Sequence, residues 1–409
     1  MIKDALQKIK KVPLYALILT GMVLGFMFGY YFPEQAGWAA PLGTVFMKLL
    51  RMMVIPLVFV SIVDGICRAG SIEKLSSLGG KTVAYYLATN ALAVLTGLIL
   101  VNVIRPGEGV TLFGHRPEQL VSTGHLFDLV PENIFRSFAQ GDTLQIIFMA
   151  IVFGIGLVIL GDKAPSLRKA VSEANELFLG LTSRIILLAP VGIFGLMAVM
   201  AKSLDWSAFS GVMKFAVTIL LGLLIHGAVT LVIFFKVFSK RPLGRFFKNM
   251  QPALLTAFST SSSSATLPVS FDCVEKKEGI SKEVAGFVLP VGATVNMDGT
   301  AIYEAVACLF IAQALGIELS LSAQVIVFFT ASLAAIGAAS IPSAGLITLA
   351  IVLTAVNLPL EGIGFLLAFD RPLDMSRTIV NVWGDMVGCA ILEEQGMKSG
   401  SDKTQKKEG

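Results

Sequence analysis

Uncharged stretches of about twenty residues recur along this sequence, and they restrict its fold more than any other feature. Residues 12–33, 82–104, 143–161 and 215–235 contain no Asp, Glu, Lys or Arg. An apolar run longer than ~18 residues can cross the ~30 Å hydrocarbon core of a bilayer as a helix. Backbone in hydrocarbon must satisfy its own hydrogen bonds, which leaves helices and closed β-barrels. A barrel would show short alternating segments instead. Only 15% of the residues are charged, against about 25% in an ordinary soluble domain. The expected fold is an all-α, polytopic membrane protein.

Lys and Arg at the ends of apolar runs mark the cytoplasmic side. Lys3, Lys8, Lys10 and Lys11 precede the first run, so the amino terminus is expected inside. No small-residue cleavage site follows. The run closes on Gly29-Tyr30-Tyr31-Phe32-Pro33, which reads as an interfacial anchor. The second span returns to Arg68, Lys74 and Lys81, and the third ends at Ile104. Loop 105–142, of mixed charge, is expected outside, and the fourth span returns to Lys163, Arg168 and Lys169. The fifth covers 177–201, and the sixth ends in Lys236, Lys240, Arg241, Arg245 and Lys248.

Two later segments break this alternation. Residues 249–271 are uncharged and contain the run Ser259-Thr260-Ser261-Ser262-Ser263-Ser264, yet both flanks are basic, with Lys276, Lys277 and Lys282 on the far side. About 23 residues at ~1.5 Å each cannot cross the bilayer twice. A re-entrant hairpin with the serines at its tip is expected. Residues 319–360 are also uncharged, but their flanks are Glu318 and Glu361, with helix breakers at 337–345 between them. Two full spans joined by a tight turn fit this length as well. The absence of a basic residue at that turn favours a second hairpin, entering from outside. Tips meeting from opposite sides form the inverted-repeat pattern of secondary transporters.

Each hairpin precedes a segment with polar groups at membrane depth. Val291-Gly292-Ala293-Thr294-Val295-Asn296-Met297-Asp298-Gly299-Thr300 should interrupt its helix, and unwound carbonyls beside a carboxylate suit a hard cation. A buried Asp bonded to backbone is the plainer reading. At about 100° per residue, Asp370, Asp374, Arg377, Asn381 and Asp385 fall within about 80° of one another, with Thr378 at the edge and Arg371 further round. Structural salt bridges would account for Asp374 with Arg377, but hardly for Asn381 with Asp385. Arg377 offers a fork for a carboxylate, Asp374 a partner for an ammonium, and Asp385 with Asn381 oxygen ligands for a cation. An acidic amino acid fits that stripe. Tyr85, Tyr86, Thr89 and Asn90 are polar groups in the third span, and helix–helix hydrogen bonding is their plainer role. Glu304 is a candidate protonation site or a structural pair.

The remaining features exclude more than they suggest. Cys67, Cys273, Cys308 and Cys389 fit neither a disulfide framework nor a zinc site. His115, His125 and His226 lack metal-ligand spacing. His226 is expected to be a core residue bonded to a neighbour, with a proton relay as the less favoured role. The net charge of +4 gives no reason to expect nucleic acid. A serine hydrolase built on the serine run would lack a nearby base. A channel is a weaker fit than a carrier to a substrate-shaped stripe.

The motifs "SSSSATLP", "NMDGTAIYEA", "GAASIPSAG" and "LDMSRTIVNVWGD" closely resemble those of the glutamate transporter family, whose members carry dicarboxylates or amino acids with cations. The resemblance runs from about Val12 to Glu393. It implies eight membrane helices plus two hairpins, working as an elevator in a homotrimer in the cell membrane, with both termini cytoplasmic. Residues 1–76 (helices 1 and 2) and 143–201 (helices 4 and 5) would form the scaffold. Helix 3 (77–104), helix 6 (207–240), hairpin 1 (246–273), helix 7 (282–316), hairpin 2 (319–360) and helix 8 (361–393) would form the moving part. Segment 105–142 would be an outer loop and 394–409 a cytoplasmic tail. By the same resemblance, Arg377 binds the substrate side-chain carboxylate, Asp374 its amino group, and Asn381 its α-carboxylate together with backbone at Ser262, Ser263, Ile341 and Gly345. Thr300 and Thr378 complete the pocket. Sodium would be held by Asp385, Asn381, Gly292 and Asn296. A second ion would involve Thr294 and Met297, and a third Asp298, Asn296, Tyr86, Thr89 and Asn90. Glu304 stands where animal members place a residue tied to proton and potassium coupling. Ser261 and Met375 stand where relatives place a second arginine. The expected activity is uptake of glutamate or aspartate driven by sodium, protons or both, with no organic cofactor and no catalysis. A carrier of C4-dicarboxylates or neutral amino acids is the alternative. Membrane lipid is the expected surrounding, and nucleic acid is not an expected partner.

Overall fold

The structure is a computed structural model that describes residues 14–75, 77–110, 130–140, 143–201, 206–337 and 344–405. The described residues are helical or irregular and contain no strand. In chain order, α1 covers Leu14–Tyr31, α2 Ala40–Leu75, α3 Ser77–Ile104, α4 Ile134–Gln140, α5 Thr143–Leu160, α6 Pro165–Ile186 and α7 Ala189–Met200. Then come α8 Trp206–Ile225, a π-helical turn at His226–Thr230, and α9 Leu231–Phe238. The carboxyl half holds α10 Leu243–Thr260, α11 Ser263–Phe271, α12 Lys282–Val295, α13 Asp298–Ala314, α14 Leu321–Gly337, α15 Ala344–Ala355 and α16 Gly362–Gln405.

Among the described residues, four helical stretches are long and apolar enough to cross a membrane: Leu78–Ile104, Gln145–Lys163, Ser210–Phe238 and Lys282–Ala314. In the most apolar window of the last, every residue is buried inside the protein, whereas in the other three 33–39% are. That difference decides where charge is tolerated. Asp298 and Glu304 sit in the segment that other helices enclose, and each is fully buried.

The amino-terminal helices pack through glycine. Gly21, Gly25 and Gly29 recur every four residues on α1, so they share one face. A methyl group on any of them would run into the α7 backbone at Pro190, Phe194 or Ala198. In lipid there is no hydrophobic drive to join helices, and small residues that let backbones touch supply the contact instead. Helix α2 packs against α5, α6 and α7, and holds a buried polar set with α6. There Ser61 Oγ donates to Asn175 Oδ1 at 2.8 Å, and Asn175 Nδ2 donates to Asp64 Oδ2 at 2.9 Å.

The serine run divides α10 from α11, which pack against each other. Ser261 caps α10 in the left-handed region at φ 51°, a conformation costly for most residues with a Cβ. Ser262 then caps α11, its side chain accepting from the Ala265 amide. The far ends of this segment also meet. Asn249 Nδ2 donates to Glu278 Oε1 at 2.7 Å, and Arg241 Nη1 lies 3.3 Å from Glu278 Oε2. Helices α14 and α15 pack in the same pairwise way. Asn102 of α3 ties α14 down by donating to Gln324 Oε1 at 2.8 Å.

Candidate functional site

Helix α16 runs unbroken through 370–385, so the predicted stripe is realised as one face. Asp370, Asp374, Arg377, Thr378, Asn381 and Asp385 are all buried. Arg377 is 1% exposed. Its Nη2 donates to Asp370 Oδ1 and to Asp374 Oδ1, each at 2.9 Å. Its guanidinium carbon stands 4.0 Å over the Tyr303 ring of α13. The other side is closed by Gly345 at the start of α15, where a methyl group would come within 2.6 Å of Nη1. Nε and Nη1 remain without a hydrogen-bond acceptor. A desolvated donor left unpaired is costly, so a ligand carboxylate would complete it. Arg371, a quarter exposed, places Nη1 3.7 Å from Asp374 Oδ2.

Thr378 Oγ1 donates to the Asp374 carbonyl at 2.8 Å, and Thr300 is buried in the first turn of α13. Ser263 is buried at the start of α11. Ile341 lies outside the described residues, as does the rest of 338–343. Glu304 is fully buried on α13, and neither of its carboxylate oxygens has a hydrogen-bond partner.

A second cluster lies further along α16. The chain leaves helical geometry between α12 and α13 at Asn296 and Met297. Asn296 Nδ2 donates to Asp385 Oδ1 at 2.9 Å and to the Asn381 carbonyl at 3.1 Å. Asn381 Oδ1 in turn accepts from the Gly299 amide at 2.7 Å, and its Nδ2 reaches the Met297 sulfur at 3.3 Å. Gly292 is required as glycine, because a methyl group there would collide with Asp385 Oδ1 and the Tyr86 hydroxyl. Tyr86 donates to the Val288 carbonyl at 3.0 Å, and Thr89 and Asn90 are buried beside it on α3. Thr294 Oγ1 donates to the Val291 carbonyl of its own helix at 3.0 Å.

This second cluster fits a hard cation. Asp298 Oδ1 and Asn296 Oδ1 are buried oxygens without hydrogen-bond partners. Oxygen donors of carboxylate, amide and carbonyl type suit sodium rather than a soft transition metal. Among the described residues, no group of three or more His, Cys, Asp or Glu side chains converges as a transition-metal site would need.

Three participants were not assigned to the site from sequence. Asp370 was on the stripe but had no role. Tyr303 adjoins Glu304 in "AIYEA", and only the packing of α13 on α16 puts its ring under Arg377. His226, expected to bond a neighbour, has Asp298 as that neighbour, with Nε2 2.9 Å from Oδ2.

Comparison with known proteins identifies the family. Residues 14–395 match the model of the sodium:dicarboxylate symporter family. A proton/sodium-glutamate symport protein of Bacillus caldotenax is 31% identical over 94% of this chain and 95% of its own length. An excitatory amino acid transporter of Caenorhabditis elegans is 34% identical over 94% of this chain and 88% of its own. A C4-dicarboxylate transport protein of Brucella anthropi is 33% identical over 95% and 90%. The relatives named cover 94–95% of this chain and are transporters, and polar groups are buried in the apolar helical stretches Leu78–Ile104, Ser210–Phe238 and Lys282–Ala314. The chain is a multi-pass membrane transporter rather than an enzyme, and it belongs to the sodium:dicarboxylate symporter family.

Proposed function

We propose that this chain takes up glutamate or aspartate by symport with sodium, protons or both. The observation that carries this reading is Arg377. It is a buried guanidinium held by Asp370, Asp374 and Tyr303, with two nitrogens still lacking an acceptor. A substrate side-chain carboxylate meets those donors, and Asp374 takes the ammonium. Asn381 and the amides near Ser262, Ser263 and Gly345 receive the α-carboxylate. Sodium is held in the cluster of Asp298, Asn296 and Asp385, with Gly292, Asn381, Tyr86, Thr89 and Asn90 around it and Thr294 and Met297 at its border. Glu304 is the candidate proton carrier.

The family resemblance extends this reading to the whole molecule. Residues 77–104, 207–240, 246–273, 282–316, 319–360 and 361–393 move as a unit against 1–76 and 143–201. The protein works as a homotrimer in the cell membrane with both termini in the cytoplasm. The enclosed α12–α13 segment and the glycine contact of α1 with α7 are in keeping with a polar moving part against an apolar frame.

A second reading has an observation of its own. Asp374 faces Arg371 as well as Arg377, so two cations offset it without a substrate ammonium. That favours a C4-dicarboxylate, the substrate in the name of the Brucella relative. Uptake of labelled aspartate, glutamate and succinate into proteoliposomes, with sodium and pH gradients imposed separately, separates the readings. Aspartate or glutamate accumulation that collapses when the driving gradient is dissipated is the expected result. Succinate uptake without amino acid uptake would transfer the assignment to the second reading.

A further inference from the structure

His226 is the one histidine among the described residues, and the substrate pocket does not use it. It opens the π-helical turn His226–Thr230 between α8 and α9. Such turns widen the helix by one residue and redirect a side chain or a carbonyl, and they recur at functional sites. Both happen here. The imidazole turns inward, and Nε2 lies 2.9 Å from Asp298 Oδ2, with both side chains 0% exposed. At Gly227, the next residue, the carbonyl accepts from Trp383 Nε1 at 3.1 Å. Trp383 stands two positions before Asp385 on α16. One turn therefore reaches the carboxylate of Asp298 directly and the helix turn that carries Asp385 through Trp383. The other oxygen of Asp298, Oδ1, is buried and without a hydrogen-bond partner.

We infer that His226 is a positioning residue for cation binding. By donating from Nε2 to Oδ2 it fixes the Asp298 carboxylate in one rotamer, leaving Oδ1 as the oxygen available to a cation. Carboxylates that ligate metals are commonly oriented by such an outer hydrogen bond, and losing it costs about 10- to 100-fold in affinity. The role is distinct from packing, because the ring makes its polar contact to a single oxygen of a single ligand. The inference rests on the reading of Asp298 as a cation ligand, and it is independent of which organic substrate is carried.

Sodium-dependent protection against thermal unfolding tests it without substrate. The purified protein is titrated with NaCl at constant ionic strength in choline chloride. His226→Met fills the space without a donor, and His226→Gln returns an N–H near the position of Nε2. The expected result is that His226→Met raises the half-saturating sodium concentration about tenfold, while His226→Gln stays within about threefold of the unaltered protein. If His226→Met does not fold, His226→Asn, whose amide is too short to reach Asp298, takes its place with the same expected shift. An unchanged sodium curve in the donor-free variant, or equal shifts in it and His226→Gln, overturns the positioning role. No sodium protection in the unaltered protein overturns the reading of Asp298 on which it rests. A merely structural histidine would lower the melting temperature in choline and leave the sodium midpoint where it was.

Discussion

Along α16, the turn around Arg377 and the turn around Asp385 carry their charges in different ways. Around Arg377, acids and bases are already matched: Asp370 and Asp374 face Arg377 and Arg371. On Arg377 itself, donor capacity remains open at Nε and Nη1. Around Asp385, two buried carboxylates are served by an amide and an imidazole, and the oxygens Asp298 Oδ1 and Asn296 Oδ1 remain open. Arg377 lacks an acceptor for two nitrogens, and Asp298 and Asn296 each keep an oxygen without a donor. Burial makes both deficits costly, because low-dielectric surroundings do not solvate what the protein leaves unpaired. On the proposed reading a single helix holds donors for an anion and oxygens for a cation, with Asn381 between them, accepting from Gly299 through its side chain and from Asn296 through its carbonyl.

The strongest way to break this comparison is Arg377→Cys. Removing one partner of a buried charge set costs about 3–5 kcal/mol, so uptake of acidic substrates should fall at least about 100-fold. Small neutral amino acids should still enter. Unchanged aspartate and glutamate uptake would falsify the assignment of Arg377. Asp298→Asn acts on the other region. It should raise the sodium concentration needed for half-maximal uptake about 10- to 100-fold, with a smaller change in substrate affinity at saturating sodium. A variant that weakened substrate and sodium equally at every concentration would erase the distinction between the two regions. Tyr303→Leu removes the aromatic face under Arg377. A desolvated cation–π contact is worth about 2 kcal/mol, so substrate affinity should drop on the order of tenfold, measured by competition at fixed sodium. Arg371→Met gives the smallest effect. Its contact with Asp374 is long and partly exposed, which places it near the 0–1 kcal/mol of surface pairs. It should shift the ratio of aspartate to succinate uptake toward aspartate by about two- to fivefold. A shift toward succinate would remove the support that Arg371 gives to the second reading.

The features legible in sequence were those carried by one regular element. Asp370, Asp374, Arg377, Asn381 and Asp385 lie on an unbroken helix, where the 3.6-residue period fixes which side chains share a face. The break at Asn296–Met297 was legible because Asn, Asp and Gly interrupt an apolar run. The apolar segments were legible from length alone. The pairings between elements were not. His226 and Asp298 are 72 residues apart, and no local pattern links them. Tyr303 looks like any aromatic in a buried helix until α13 lies on α16. The π-helical turn at His226–Thr230 sits inside a run that reads as continuous helix, because propensity does not register one extra residue per turn. Ser261 was singled out for the arginine it lacks, whereas its left-handed backbone is a property only the folded tip could reveal.

The glycine face of α1 against α7 has a mechanical consequence. Side-chain interfaces can give, since rotamers hop and long chains bend. Where Gly21, Gly25 and Gly29 rest on the backbone at Pro190, Phe194 and Ala198, there are no rotamers to yield. Sliding the two helices would drive main chain into main chain, as would rotating either about its axis. The pair therefore behaves as a stiff beam, able to bear load without creeping.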